Sequence, residues 1–131
     1  MTKILIIDDS PEDTALLRAF CNKLPSTTIE TAKTGSEGVA RYEKWRADCV
    51  ILDYHLADNN GLSVLSALKA RNPYVPVILL SGRGSEELAA AAMKAGATRY
   101  LTKRGLSLDM LRTAVEASIR WMQHAAMMRP S

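Results

Sequence analysis

Four short unbroken apolar runs punctuate the chain, at 4–7, 49–52, 77–80 and, more weakly, 100–101. Each ends against a polar residue or a turn of small residues, the pattern of strands buried on both faces. A fifth candidate, 28–32, mixes β-branched and polar residues and suits the edge of a sheet. Between these runs lie segments with helical spacing: 11–24 (Leu16, Leu17, Phe20, Leu24), 36–45 (Val39, Tyr42), 62–71 (Leu62, Leu65, Leu68), 85–95, and 108 to about 122. Ser10-Pro11-Glu12-Asp13 signals a helix start, with an N-cap hydroxyl, proline at the first helical position and acids in the first turn. Gly96 marks a helix stop. Strand and helix therefore alternate five times with short connections. That order predicts an α/β fold, a parallel sheet covered by helices on both faces.

Composition narrows the class. A chain of 131 residues, 47% hydrophobic and 24% charged, suits one globular domain and argues against disorder. The longest apolar run is 88–93, far short of the ~18 residues of a membrane span, and only four apolar residues follow Lys3, too few for a signal peptide. A cytoplasmic protein without a membrane partner is expected. Cys21 and Cys49 lack metal-ligand spacing and read as core thiols. The net charge of +3 hides a segregation: residues 1–65 carry 7 basic and 10 acidic side chains, residues 66–131 carry 10 basic and 4 acidic. The basic residues are scattered and aromatics make up only 5% of the chain, so no direct nucleic-acid binding is expected.

In a doubly wound sheet the chemistry belongs at the carboxyl ends of the strands. There the chain places Asp8 and Asp9 after the first strand, Asp53 after the third, Ser81 and Gly82 after the fourth, and Thr102 and Lys103 after the fifth. Taken singly, Asp8 and Asp9 read as stabilisers of the following helix and Asp53 as a turn residue. Together they read as a site. Crowded carboxylates raise one another's pKa, so three of them point to a bound cation, and Mg²⁺ best matches an all-oxygen set that leaves positions for water and phosphate. A lysine and a hydroxyl opposite suit that phosphate as donors.

These residues resemble the receiver domains of two-component response regulators over essentially 3–122. Ile6-Ile7-Asp8-Asp9 resembles the acidic pair after the first strand, and Ile51-Leu52-Asp53-Tyr54-His55-Leu56 with Gly61 resembles the phosphoacceptor segment. Leu79-Leu80-Ser81-Gly82 resembles the Ser/Thr step, and Ala95-Gly96-Ala97 with Tyr100-Leu101-Thr102-Lys103 resembles the last strand with its switch aromatic and lysine. The resemblance implies a flavodoxin-like (βα)5 fold, a doubly wound five-stranded parallel sheet of order 2-1-3-4-5. It implies that Asp53 accepts a phosphoryl group from a sensor histidine kinase or phosphotransfer protein. It also implies that Asp8, Asp9, Asp53 and the His55 carbonyl bind Mg²⁺, for which Mn²⁺ could substitute. Ser81 and Lys103 would hold the phosphoryl oxygens, Ser81 and Tyr100 would form the switch, and His55 and Arg83 would tune hydrolysis. The only catalysis implied is of its own phosphorylation and dephosphorylation, with a downstream effector or a missing output domain reading the face of helix four, strand five and helix five.

Two departures from the family stand out. Ala57 and Arg104 replace customary prolines, and a cis Lys103–Arg104 bond would cost ~3–4 kcal/mol, so a trans bond is expected. Three other readings fit less well. A haloacid-dehalogenase-like phosphatase would have an aspartate at His55, and a flavodoxin would lack the Asp8-Asp9 pair that repels a flavin phosphate. A degenerate receiver that only docks is the third. Residues 123–131 read as a tail or the start of a connector helix, on a chain either free-standing or cut from a longer one. The stripe Leu111, Val115, Ile119, Met122 and Ala126 outruns the sheet, which suggests homodimerisation through this helix or through the face it shares with helix four and strand five.

Overall fold

A computed structural model describes residues 1–128. Its elements alternate: β1 (Thr2–Ile7), α1 (Pro11–Asn22), β2 (Thr27–Ala32), α2 (Gly35–Trp45), β3 (Cys49–Asp53), α3 (Gly61–Arg71), β4 (Val77–Ser81), α4 (Glu86–Lys94), β5 (Arg99–Thr102) and α5 (Leu108–Met128). The strands form one parallel sheet in the order β2-β1-β3-β4-β5, the flavodoxin-like topology expected from the sequence.

The apolar runs are continuous because the three inner strands are covered on both sides. Side chains alternate across a strand, so each run feeds two cores. Leu5, Ile7, Val50, Leu52, Val77 and Leu79 pack with Tyr42 of α2, Val64, Leu65 and Leu68 of α3 and Ala92 of α4. Ile4, Ile6, Cys49, Ile51, Ile78 and Leu80 face the other way, onto Leu17 and Cys21 of α1 and Leu111, Ala114 and Val115 of α5. Both cysteines are buried free thiols, and burial pushes each up to about 12. The outer strands β2 and β5 are mostly half-buried, which is why their sequences are more polar.

The helix boundaries follow local chemistry. Ser10 caps α1 by accepting from the Asp13 N–H, with Pro11 first in the helix. Thr34, Asn60 and Ser85 cap α2, α3 and α4 in the same way, so α2 and α3 each begin one residue before their first predicted position and α4 one residue after. The first helix stops at Asn22, short of the predicted Leu24, because a residue before proline is driven out of helical geometry and Pro25 follows. At the other end α5 runs to Met128, past the expected boundary at 122, and the remaining tail residues 129–131 lie outside the described residues. Its Trp121 is 40% exposed and stacks on Lys69 of α3, whose ammonium lies 5.0 Å from the ring centroid and donates to the Pro73 and Val75 carbonyls.

One close approach sets the distance between a helix and the sheet. A Cβ built on Gly38 of α2 would lie 2.4 Å from Ile7 Cδ1 and 2.8 Å from its Cγ1, inside a fully buried side chain. Gly38→Ala gains ~1 kcal/mol of helix propensity but overpacks the core at a cost of typically ~1–3 kcal/mol. The variant should therefore be less stable than wild type in urea unfolding, the reverse of the usual result for a helix-interior glycine.

Candidate functional site

Register brings the acids together. Ile7 pairs with Leu52, so the residues that follow, Asp8 and Asp53, emerge side by side where β1 and β3 end. Asp8, Asp9 and Asp53 each bring a carboxylate oxygen within 4.8 Å of the others. Asp8 and Asp53 are 2% and 5% exposed, whereas Asp9 faces solvent. Ser81 pairs with Thr102 at the same edge, and the Lys103 N–H donates to the Ser81 carbonyl at 2.7 Å. From there the Lys103 ammonium reaches Asp8 Oδ2 at 2.8 Å, Asp13 Oδ2 at 2.8 Å and Asp53 Oδ2 at 3.2 Å.

These contacts work against burial in opposite senses. Desolvation, then the charge of Asp8, pushes the Asp53 carboxyl up to about 6, although Lys103 and the His55 N–H favour its ionised form. For Lys103 burial disfavours the charge, but hydrogen bonds to Asp13 and Asp8 and the charges of Asp53 and Asp8 outweigh it and hold the ammonium above its ordinary value. An all-oxygen, carboxylate-rich set reached from solvent through Asp9 fits a hard cation such as Mg²⁺.

Ser81 is buried, and its hydroxyl donates to the Arg83 carbonyl at 3.0 Å. That uses its single proton, so the Tyr100 hydroxyl, 2.6 Å away, is the donor between the two. Arg83 is exposed, and its guanidinium forms no ion pair among the described residues. His55 is also exposed, with its ring edge-on to Tyr54 and its backbone bridged to Asn60. Among the described residues no peptide bond is cis, so Lys103–Arg104 is trans as expected.

The loop after Asp53 is held from two sides. A Cβ on Gly61 would lie 2.6 Å from Tyr54 Cα and 2.9 Å from the Asp53 carbonyl oxygen, so only glycine lets α3 start this close to the acid. Asp58 accepts from the Gly35 and Ser36 N–H groups at 2.8 and 3.0 Å and from the Ser36 hydroxyl at 3.1 Å, tying the loop to the start of α2. Those backbone hydrogen bonds hold its carboxyl below the ordinary value.

Sequence reasoning located Asp8, Asp9, Asp53, Ser81 and Lys103 on one edge, and the structure brings them together there, with the hydroxyl of Tyr100, the expected switch aromatic inside β5, on Ser81. It missed Asp13 and Asp58. Asp13 was readable only as a first-turn acid. A usable signal is its place three residues after the cap, because helical Cα–Cβ bonds tilt toward the amino end and here toward the strand ends.

A doubly wound α/β sheet with this edge defines a flavodoxin-like protein with an acidic, oxygen-donor site. The chain belongs to the response regulator receiver domain family, whose profile matches residues 4–116, and so to the receivers of two-component systems. The probable transcriptional regulatory protein TcrX of Mycobacterium tuberculosis is 36% identical over 100 residues, 76% of this chain and 42% of that protein. The photosynthetic apparatus regulatory protein RegA of Rhodobacter capsulatus is 38% identical over 100 residues, 76% of this chain and 53% of that protein. The chain thus spans about half or less of these relatives. A response regulator receiver domain protein from Clostridium thermocellum superposes with a TM-score of 0.86 at 28% identity, covering 98% of this chain and all of the other. The signal receiver domain of a Vibrio parahaemolyticus LuxO repressor protein shares the fold with a TM-score of 0.89 at 24% identity, covering 99% and 98% of the two chains. Among the described residues no helix is long and apolar enough to cross a membrane.

The raised pKa of Asp53 has a consequence for stability. The folded carboxyl keeps its proton up to about pH 6, while an unfolded one releases it near 3.8, so its contribution favours the fold below 3.8 and is lost as pH rises through 6. Without divalent metal, Asp53→Asn should melt several degrees above wild type at pH 7.5, and the gap should narrow as pH falls from 6 toward 4. Thermal unfolding followed by circular dichroism across that range, in chelator, measures it.

Proposed function

We propose that the chain accepts a phosphoryl group on Asp53 from the phosphohistidine of a sensor histidine kinase or phosphotransfer protein, in the cytoplasm, and relays a signal through the side of the molecule that carries β5. The observation that carries this reading is the buried Asp53 carboxylate, with Asp8 and Asp9 beside it and the Lys103 ammonium 3.2 Å away. An Asp53 oxygen attacks phosphorus as the P–N bond breaks, and the departing imidazole keeps the electron pair and takes up a proton. Carboxylates of Asp8, Asp9 and Asp53 with the His55 carbonyl would hold Mg²⁺, or Mn²⁺ in its place, which when bound neutralises phosphoryl charge. Lys103 and the Ser81 hydroxyl donate to phosphoryl oxygens. Catalysis of the chain's own phosphorylation and hydrolysis is then mostly positioning and charge stabilisation.

Turning toward the phosphoryl group breaks the hydrogen bonds of Ser81 to Tyr100 and to the Arg83 carbonyl, which couples the reaction to the aromatic on β5. A downstream effector, or an output domain joined to the receiver, reads the changed surface of α4, β5 and α5. Self-association through that surface or through the distal half of α5 is supported by the exposure of Trp121, Met127 and Met128. His55 and Arg83, exposed beside Asp53 and Ser81, tune the approach of hydrolytic water.

Acetyl phosphate with Mg²⁺ should add one phosphoryl mass to the intact protein, none to Asp53→Asn, and less to Asp9→Ala at limiting metal. Equal labelling of wild type and Asp53→Asn would sink the assignment. In the same assay the label should decay at an altered rate in Arg83→Ala or His55→Ala, and rates within about twofold of wild type for both would remove their tuning role. A chain ending at Arg120 should lose any dimer detected by light scattering with beryllofluoride; an unchanged mass would exclude the distal α5 segment from assembly.

A further inference from the structure

An ammonium has three N–H donors. In Lys103 two of them are hydrogen-bonded, to Asp8 and Asp13, and the ammonium also lies 3.2 Å from Asp53 Oδ2 as an ion pair. Both hydrogen bonds hold the ammonium on Asp8 and Asp13, so a phosphoryl oxygen on Asp53 competes with these carboxylates for its donors. The three carboxylates are not equal. Asp8 is buried and its other oxygen accepts from the Ser10 N–H, while Asp53 is buried, accepts from the His55 N–H and is itself the reacting group. The Asp13 side chain is 43% exposed and its carboxylate has no partner other than Lys103 among the described residues. Water can solvate it as soon as it lets go, which makes it the contact that opens at least cost. The N-cap of α1 does not depend on that carboxylate, because Ser10 accepts from the Asp13 backbone N–H, and the favourable effect of a first-turn acid on the helix is shared by Glu12.

We infer that Asp13 is the resting-state counter-ion of Lys103, a positioning residue that holds the ammonium over the empty acceptor and is displaced by a phosphoryl oxygen. The inference rests on Asp53 being the phosphoacceptor. It requires a kinetic asymmetry. The Asp13 contact stabilises the unmodified protein and is absent from both the transition state and the phosphorylated form, so its removal speeds phosphorylation and leaves hydrolysis of the phosphorylated form unchanged.

The test compares Asp13→Ala with Glu12→Ala, which removes one negative charge from the same helical turn at an exposed residue that makes no ion pair with Lys103. Phosphorylation by acetyl phosphate and subsequent decay are followed by intact mass at low salt and at about 1 M salt, where long-range repulsion is screened within about 3 Å. Asp13→Ala should label several-fold faster than wild type at both salt concentrations with unaltered decay, and Glu12→Ala should match wild type at high salt. Slower or unaltered labelling of Asp13→Ala, an acceleration that vanishes with salt, or identical behaviour of the two variants overturns the inference while leaving Asp53 as the acceptor. A wild-type protein that takes no label overturns both. A second measurement needs no reaction: in urea unfolding of the metal-free protein, Asp13→Ala and Lys103→Met should be non-additive, and additive effects would show that the pair is not coupled.

Discussion

The charge on Lys103 is what allows two carboxylates to be buried side by side at the end of a sheet. Removing charged groups from water costs several kcal/mol each, and Asp8 and Asp53 also repel one another. A single ammonium reaching both, with its own charge reinforced by Asp13, supplies the compensation. The compensation is incomplete, since the Asp53 carboxyl is still pushed up to about 6. That residual imbalance is a demand for further positive charge, and a divalent cation is the chemical answer to it.

Everything else in the fold serves to bring that lysine to those acids across 95 residues of chain. Parallel pairing aligns the ends of β1, β3, β4 and β5, so the residue that ends or follows each strand arrives at a common edge. The backs of the acid-bearing strands are fixed by close approaches, Gly38 against Ile7 and Gly61 against the backbone at Asp53 and Tyr54. Asp58 then takes on part of what the proline missing at Ala57 would do, anchoring the loop through hydrogen bonds instead of through a restricted backbone.

Much of this was legible in the sequence because the informative signals are local. Runs such as Ile4, Leu5, Ile6 and Ile7 can be read as doubly covered strands, and once the alternation is accepted the topology rule places Asp8, Asp53, Ser81 and Lys103 without further knowledge. What escaped depends on relations between distant elements. Asp13 matters only because α1 leaves its strand at an angle that brings the first turn over Lys103, and Asp58 only because α2 begins where the β3–α3 loop can reach it. Ala114 and Ser118 were passed over because neither is strongly apolar. Both are buried, and Ser118 satisfies its hydroxyl within its own helix by donating to the Ala114 carbonyl.

The indole of Trp121, resting on the Lys69 ammonium, gives α5 a chromophore at the end of the sheet opposite Asp53. From Leu111 to Trp121 the helix rises about 15 Å, so a small tilt at its buried end becomes a larger displacement at the ring. Aromatic emission responds to an adjacent cation and to water, and this ring meets both. Rearrangement near Asp53 that moves α5 would therefore be visible optically, in the native chain and without an attached dye.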